Sequence, residues 1–341
     1  MSRRKGKRNA MNKKLQQDMK DCRLCPRNCG INRILQTGVC GQSASLKVAR
    51  AALHMWEEPC ISGKNGSGAV FFSGCALHCV FCQNKNIANG TAGIEISTGR
   101  LSEIFLELQG QKANNINLVT PGQFVPQIIQ ALDLAKRQGL SIPVVYNTSS
   151  YENVDTIRRL EGYVDIYLPD LKYVDHRRSN RYSHAEDYFA CASRAIAEMV
   201  RQTGEAFFVP EQSITQGNWK DQRMTADTYQ TYSEEQDGDG IMVKGTIVRH
   251  LLMPEGLADS KRVVDYLLTT YGSQIFISLM NQYTPCNTLE AYPELMHTVT
   301  EEAYEELIDY AIAHGIENGF IQEGETAKES FIPEFDGEGV L

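Results

Sequence analysis

Residues 69–82 read AVFFSGCALHCVFC, an apolar run followed at once by three closely spaced cysteines. The run at 69–73 is apolar and aromatic, which predicts a buried β-strand. Cys75, Cys79 and Cys82 then follow at C-x3-C-x2-C spacing. A loop that leaves a strand can turn all three thiols toward one centre, which a regular helix cannot do. The stretch therefore predicts a strand that ends in a metal-binding loop.

The same alternation continues along the chain as short apolar runs separated by longer amphipathic stretches. Such a pattern predicts an α/β fold with a parallel sheet and crossover helices. Six strands are expected, at 69–73, 116–119, 142–147, 164–168, 246–252 and 274–280. Helices are expected at 124–137, 151–160, 185–202, 260–270 and 300–314. In folds of this kind the ligand lies at the carboxyl ends of the strands.

The chain has 341 residues, of which 42% are hydrophobic, enough for one large core. Residues 51–341 are predicted to form this domain, and residues 1–50 a basic tail with a small cysteine-rich extension. Residues 211–240 are polar and rich in Gln, and are expected to form an inserted surface loop. The sequence has no run of 18 apolar residues and no signal-peptide pattern, so a soluble, cytoplasmic protein is expected.

Ten cysteines in a protein expected to be cytosolic indicate metal binding or catalysis rather than disulfides. Thiolates are the ligands that iron–sulfur clusters take. Because a cubane cluster has four irons, the three loop cysteines leave one iron open, and an open position suits a catalytic centre. Zinc is the alternative, with His78 as a fourth ligand.

The loop, with Phe81 as its aromatic residue, follows the first strand of a six-unit β/α pattern and resembles the cluster loop of the radical S-adenosylmethionine superfamily. Further short motifs resemble those of the superfamily branch that is similar to pyruvate formate-lyase activating enzyme. They include EEP at 57–59, CQN at 82–84, NLVTP at 117–121, DIYLPDLKY at 165–173 and VRHL at 248–251. The resemblance implies a partial (β/α)6 barrel, a 4Fe–4S cluster and bound S-adenosylmethionine.

The reaction implied by this resemblance starts with one electron from the cluster, which splits S-adenosylmethionine into methionine and a hydrogen-abstracting 5′-deoxyadenosyl radical. The branch implies that the hydrogen atom comes from a glycine of a partner glycyl-radical enzyme. It also implies an electron donor such as flavodoxin or ferredoxin. Modification of another peptide, a metabolite or RNA is an alternative, and an iron–sulfur electron carrier is an alternative of another class.

Site residues are expected where the predicted strands end. The expected cofactor-binding residues are Cys75, Cys79, Cys82, Phe81, Thr120, Asn147, Thr148, Asp170 and His250, and the expected catalytic residues are Lys172 and His250. The resemblance implies that Asp170 with Lys172, and Arg249 with His250, hold S-adenosylmethionine or the peptide around its target. The alternatives are an exposed ion pair for the first two and a satisfied core pair for the others.

Arg249 and His250 are neighbours on one predicted strand, so their side chains should point to opposite faces of the sheet. We expect His250 to face the barrel interior together with Val248. Arg249 would then lie against the helices with Ile247 and Leu251, where its guanidinium needs a carboxylate partner.

One motif departs from the superfamily pattern. The usual Gly-Gly-Glu motif, which contacts the methionine amino group, should end the second strand. Residues 119–122 read VTPG instead, which leaves the cofactor contact at this strand open.

A second cysteine group, Cys22, Cys25, Cys29 and Cys40, precedes the first predicted strand with the pattern C-x2-C-x3-C-x10-C. Four thiolates match a closed zinc site or a fully ligated auxiliary iron–sulfur cluster. Unligated thiols are the third alternative. A structural zinc site is preferred.

The charge of −8 is unevenly distributed, since residues 1–50 carry 13 Lys and Arg against two Asp and the remainder is acidic. The basic run at 3–8 is expected to be a solvated tail rather than a nucleic-acid-binding segment. Neither a membrane nor a nucleic acid is therefore the expected partner.

Overall fold

The computed structural model describes residues 17–229, 240–285, 289–321 and 333–341. The predictions made for the basic run at 3–8 and for residues 230–239 of the expected insertion lie outside the described residues. No helix within these ranges is both long enough and apolar enough to span a bilayer.

An open sheet forms the centre of the fold. Its strands are β1 (Lys47–His54), β2 (Ser67–Phe72), β3 (Ile94–Glu95), β4 (Ile116–Val119), β5 (Val144–Thr148), β6 (Ile166–Pro169), β7 (Phe207–Pro210), β8 (Met224–Thr225), β9 (Gly240–Leu251), β10 (Phe276–Met280) and β11 (Gly319–Ile321). The main order is β11-β10-β9-β6-β5-β4-β2-β1-β3, with β7 and β8 attached beside β9. Neighbours from β11 to β2 run parallel, and β1 is antiparallel to β2 and β3. The predicted α/β class and the six predicted strands are confirmed.

Helices connect the parallel strands. They are α1 (Pro59–Ser62), α2 (Lys85–Ala88), α3 (Thr98–Gly110), α4 (Val125–Arg137), α5 (Val154–Arg158), α6 (His176–Ser183), α7 (Tyr188–Thr203), α8 (Glu211–Gln216), α9 (Leu257–Tyr271) and α10 (Glu301–Ala313). The five predicted helices correspond to α4, α5, α7, α9 and α10. Helix α3 was not predicted, although Leu101, Ile104 and Leu108 have helical spacing and Ser97 caps its first turn.

The central strands β4, β5 and β6 are buried along their whole length, so both faces of the sheet are apolar. On the outer face, Leu118 packs in one cluster with Ile128 of α4. On the inner face, Val145 and Leu168 pack with Ile61 of α1. Each fully buried side chain of this size contributes about 1.5–3 kcal/mol. Helix α1 thus fills the inner face, and the carboxyl ends of the strands stay available for a site.

Residues 211–229 of the expected insertion are not one long surface loop, which corrects the prediction for this part. They contain α8, a short 3-10 turn and β8, which pairs with β7. Ile214 and Trp219 are buried in the outer core. The Glu211 carboxylate accepts hydrogen bonds from the backbone N–H groups of Lys64 and Asn65 at 2.8 and 2.9 Å. Apolar burial and these hydrogen bonds hold the segment on the body.

Gly74, directly after β2, has a positive φ of 86°, and a Cβ there would lie 2.5 Å from the carbonyl oxygen of Cys40. We expect Gly74→Ala to lower the free energy of unfolding by about 2–4 kcal/mol, from left-handed strain plus a steric clash. Gly139 is the matched control, because its φ is 106° with no atom within 4 Å of the added Cβ. Gly139→Ala should cost only about 1–2 kcal/mol. Equal losses in denaturant unfolding would show that the contact with Cys40 is unimportant.

Candidate active site

The cluster loop, residues 73–84, connects β2 to α2 and carries Cys75, Cys79 and Cys82. Its backbone turns at Gly74 and at His78, which has a positive φ of 53°. The Ser183 hydroxyl donates to the Cys79 sulfur at 3.0 Å. These turns bring the three cysteines to the wall of one cavity.

Burial raises the pKa of the Cys79 thiol to about 11 and that of the Cys82 thiol to about 12. The Lys172 ammonium opposes the rise at Cys79. Without a metal, both thiols would keep their protons at neutral pH. A bound metal would supply positive charge that stabilises the thiolates against this effect of burial.

The three thiols fit the protein ligands of an iron–sulfur cluster. In the described ranges, no group of three His, Cys, Asp or Glu side chains is arranged to hold a single metal ion. A four-iron cluster is held differently, because each thiolate binds its own iron. The Nε2 atom of His78 lies 2.7 Å from the Val39 carbonyl oxygen, so this ring contacts the N-terminal extension. The donor set fits a 4Fe–4S cluster with one iron open to the cavity.

The cavity has a volume of about 1040 Å³ and lies at the carboxyl edge of the parallel sheet. Its lining includes Cys75, Cys79, Cys82, Phe81, Thr120, Asn147, Thr148, Asp170, Lys172 and Arg249. The structure thus brings together every expected site residue except His250. A volume of this size is at the upper end of small-molecule sites, which leaves room for a nucleoside cofactor and part of a substrate.

Arg249 is the centre of a charged network in this cavity. Its guanidinium donates to Asp170 Oδ1 at 3.0 Å, to Glu57 Oε2 at 3.2 Å and to Asn147 Oδ1 at 2.7 Å. The Lys172 ammonium donates to Asp170 Oδ2 at 2.7 Å. Burial disfavours the charged form of Asp170, but Lys172 and Arg249 outweigh it and hold the Asp170 pKa below its usual range. The network joins β5, β6, β9 and the connection from β1 to β2.

The predicted directions of Arg249 and His250 are wrong. The two side chains do point to opposite faces, but Arg249 lines the cavity and His250 lies beneath α9. The Nδ1 atom of His250 is 2.6 Å from the Leu171 carbonyl oxygen, and its Nε2 is 2.8 Å from the Ser260 hydroxyl. Both faces of this strand are apolar, so the neighbours of the pair could not decide the direction. The carboxylate that Arg249 needs is in the cavity and not among the helices.

Glu57 and Glu58 are cavity residues to which the sequence analysis assigned no role. Glu57 Oε1 accepts hydrogen bonds from the side chains of Asn117 and Asn147 at 3.1 and 3.2 Å. Glu58 is buried, and burial raises its pKa, although Arg249 opposes the rise. Among the described residues, its Oε2 atom has no hydrogen-bond partner. The sequence feature that could have pointed to them is the pair of adjacent acidic residues before Pro59, at the start of α1.

Thr120 directly follows β4, at the position where the superfamily pattern has its acidic motif. It has a positive φ of 55°, a conformation that is rare for a β-branched residue. Its backbone N–H donates to the Asn147 carbonyl at 2.9 Å, and its own carbonyl accepts from Gln123 Nε2 at 2.9 Å. Carboxylates reach the cavity from Glu57 and Glu58 instead.

The chain is similar to several known proteins. Residues 61–185 match the family model of the 4Fe-4S single cluster domain. Over 308 residues the chain is 24% identical to an uncharacterized protein of Methanocaldococcus jannaschii, covering 87% of this chain and 76% of that protein. Over 120 residues it is 28% identical to the pyruvate formate-lyase-activating enzyme of Clostridium pasteurianum, covering 34% of this chain and 49% of that enzyme. A radical SAM methyltransferase structure from Sphaerobacter thermophilus shares 14% identity at a TM-score of 0.47, covering 75% of this chain and 66% of that one.

Residues 61–185, which match the 4Fe-4S single cluster domain, include the whole C-x3-C-x2-C loop. The match and the geometry of the cavity thus point to the same three residues, Cys75, Cys79 and Cys82, as the ligands of a 4Fe–4S cluster.

The buried position of His250 should make the folding stability of the protein depend on pH. Burial lowers its pKa to about 4, whereas a histidine in the unfolded chain titrates near 6.5. Between these values the unfolded chain binds a proton that the folded chain does not. Stability should therefore fall as the pH drops from about 6.5 to 4, by roughly 3 kcal/mol from this residue.

We expect His250→Asn to reduce this loss, because Asn keeps a donor toward the Leu171 carbonyl and does not titrate. Urea unfolding at several pH values between 4 and 7.5 measures the slope for wild type and variant. The surface variant His297→Asn is the control and should keep the wild-type slope. Equal slopes for wild type and His250→Asn would contradict the assignment of a neutral, buried His250.

Proposed function

We propose that this protein is a radical S-adenosylmethionine enzyme, with a 4Fe–4S cluster and S-adenosylmethionine as its cofactors, and that it removes a hydrogen atom from a glycine of a partner protein, as an activator of a glycyl-radical enzyme. The observation that carries the proposal is a cavity whose buried charges cancel and whose lining includes exposed apolar side chains. A glycine in a peptide chain is uncharged, which suits a cavity whose buried charges cancel. Such a glycine is carried on the surface of a protein, which suits a cavity lined in part by exposed apolar side chains.

The chain's own residues divide into two groups around the cofactors. Cys75, Cys79 and Cys82 hold the cluster, which supplies one electron to S-adenosylmethionine and so allows hydrogen abstraction. Asp170 and Lys172 face the same cavity and hold the cofactor's polar groups. The unpaired Oε2 of Glu58 is a ready acceptor for an ammonium group in a site that has no acidic residue at the end of β4.

The charge balance disfavours an anionic substrate. The Arg249 and Lys172 cations are already paired with Asp170 and Glu57. Phosphate groups of RNA or of a metabolite need cations that are available to them. Among the described lining residues, the further lysine is Lys64, which is exposed. The balance favours a neutral peptide over RNA.

The cavity lining also supports a protein partner. It includes Met55, Trp56 and Ile321, whose surfaces are 44%, 62% and 42% exposed. Exposed aromatic and apolar side chains around a cavity are typical of protein interaction sites. These three residues are proposed to contact the protein that carries the target glycine.

The electron donor is proposed to approach the cluster loop at a second cavity. A small cavity of about 210 Å³ there is lined by His78, Cys79, Cys82, Lys85 and Tyr292. A flavodoxin or ferredoxin has an acidic surface that Lys85 would attract. An electron carrier alone would need no cavity of 1040 Å³ beside its cluster. We place the protein in the reducing cytoplasm, where its thiols stay available for iron.

Anaerobic reconstitution with iron and sulfide, followed by dithionite and S-adenosylmethionine, tests the cluster. Replacing any one of Cys75, Cys79 and Cys82 by Ala should abolish the production of 5′-deoxyadenosine and at least weaken the 400 nm region of the spectrum, roughly where iron–thiolate centres absorb. Cys191→Ala is the control, because Cys191 lies on α7 and outside the cavity. Continued cleavage of S-adenosylmethionine by the triple Ala variant would disprove the assignment.

Deuterium transfer tests the glycine target. A candidate glycyl-radical protein labelled with deuterated glycine should pass deuterium to 5′-deoxyadenosine and acquire a protein radical visible by electron paramagnetic resonance. Cleavage of S-adenosylmethionine without deuterium transfer from any such protein would leave the superfamily intact and reject the glycine target.

Trp56→Ala should reduce the partner radical yield by about tenfold, because a central aromatic contact of an interface contributes on the order of 1–2 kcal/mol or more. Uncoupled cleavage of S-adenosylmethionine should stay near the wild-type rate. The matched control is Ile312→Ala, an exposed apolar residue on α10. If both variants or neither lose partner activation, the docking role of Trp56 is wrong.

A further inference from the structure

Helix α8 is joined to the connection from β1 to β2 by the side chain of Glu211. Its Oε1 atom accepts three hydrogen bonds, from the backbone N–H groups of Lys64 and Asn65 at 2.8 and 2.9 Å and from Asn114 Nδ2 at 2.7 Å. Hydrogen bonds to a carboxylate are stronger than those between neutral groups. The turn after α1 is therefore held by a residue that lies 147 positions after Lys64 in the chain.

The hydrogen bonds continue from this turn back into the connection. Asn114 is fully buried, and its Nδ2 atom also donates to the Ser62 carbonyl at 2.7 Å. The Ser62 hydroxyl accepts from the Glu57 N–H at 3.0 Å and donates to the His54 carbonyl at 3.4 Å. One buried serine thus joins the two ends of residues 54–57.

Met55 and Trp56 lie between these two hydrogen bonds, line the cavity and are exposed. The sulfur atom of Met55 lies 2.6 Å from the point where a side chain at residue 66 would begin, and Gly66 leaves that space open. The Gly66 N–H donates to the Ser62 carbonyl at 2.8 Å. Because exposed side chains gain little from packing, the position of Met55 and Trp56 depends on how their backbone is held.

We propose that Glu211 is a positioning residue for recognition of the partner protein. It anchors residues 62–66, and through Ser62 it fixes Met55 and Trp56 at the cavity. The inference rests on the proposed docking role of Met55 and Trp56, and it gives a function to the inserted segment 211–229. Glu211 is absent from the described residues that line the cavity, so its effect on recognition passes through the residues that it holds.

The first test is amide hydrogen exchange, measured by mass spectrometry on peptides from residues 54–66 of the full, reconstituted chain. Glu211→Ala should speed exchange by at least about tenfold, because the hydrogen bonds that oppose local opening are lost. Glu211→Gln keeps the acceptor oxygen and should stay close to wild type. Gln212→Ala is the control, because Gln212 is the exposed neighbour on α8.

Glu211→Asp keeps the charge but is one methylene too short, so it should exchange as fast as the Ala variant. This variant also covers the case in which Glu211→Ala does not fold. Exchange at the wild-type rate in the Ala and Asp variants would overturn the proposal. The measurement needs no partner protein, so it decides whether Glu211 holds this stretch even if the glycine target is rejected.

The second test measures the radical yield of a glycyl-radical partner as a function of partner concentration. Glu211→Ala should raise the KM for the partner by about tenfold, as loss of an ordered recognition surface does, and Glu211→Gln should restore it. The kcat and the uncoupled cleavage of S-adenosylmethionine should stay within about twofold of wild type, since the cluster loop does not depend on this turn.

A double-mutant cycle shows whether Glu211 acts through the two exposed residues. In a chain with Met55→Ala and Trp56→Ala, adding Glu211→Ala should cost at most about another twofold, because coupled substitutions are not additive. A further tenfold loss, or a fall in kcat at unchanged KM, would show that Glu211 acts elsewhere and would overturn the proposal. Failure of the wild-type chain to activate any glycyl-radical protein would instead reject the proposed function and leave the decision on Glu211 to hydrogen exchange.

Discussion

The site depends on the neutralisation of one nearly buried positive charge, that of Arg249. Its guanidinium is 15% exposed and is paired with Asp170 on one side and Glu57 on the other. Breaking such a buried pair costs about 3–5 kcal/mol, because the remaining charge stays desolvated. Because Glu57 must stay paired with Arg249, the connection from β1 to β2 is held over the ends of β5, β6 and β9. The shape of the cavity follows from this one electrostatic constraint.

The cluster loop is held in place mostly by hydrogen bonds from residues outside the loop. Gln123 fixes its first residues, Arg27 its middle, and Ser183 the sulfur of Cys79. Within the loop, Leu77 and Phe81 are buried in the apolar core, and Ala76 and Val80 pack against that core. A metal-binding loop of this kind needs surrounding hydrogen bonds to order it, since ordering each residue costs about 1–2 kcal/mol of entropy. This explains why an N-terminal extension packs on the loop at all.

Much of this arrangement was predictable from the sequence. The strands and the cysteine spacing gave the fold class and the cavity wall, because parallel strands place their carboxyl ends at one edge. The directions of Arg249 and His250 were not predictable, since Ile247 and Val248 are both fully buried and the strand has no polar alternation. Glu57 was missed because it meets Arg249 across 192 residues of sequence. Local patterns carry no information about such a distant partner.

The charges beside the cluster loop and the charge beside the N-terminal cysteines are balanced in different ways. Near the cluster loop, Lys172 is the cation that acts on Cys79, and Asp170 balances Lys172 and Arg249 together. Asp170 thereby links the cation beside Cys79 to Arg249. Beside the N-terminal cysteines, the fully buried Arg33 donates to the carbonyls of Ser43 and Gln123. The charges that line the cavity are therefore shared among several ionised side chains, whereas the charge of Arg33 is compensated by backbone carbonyl dipoles.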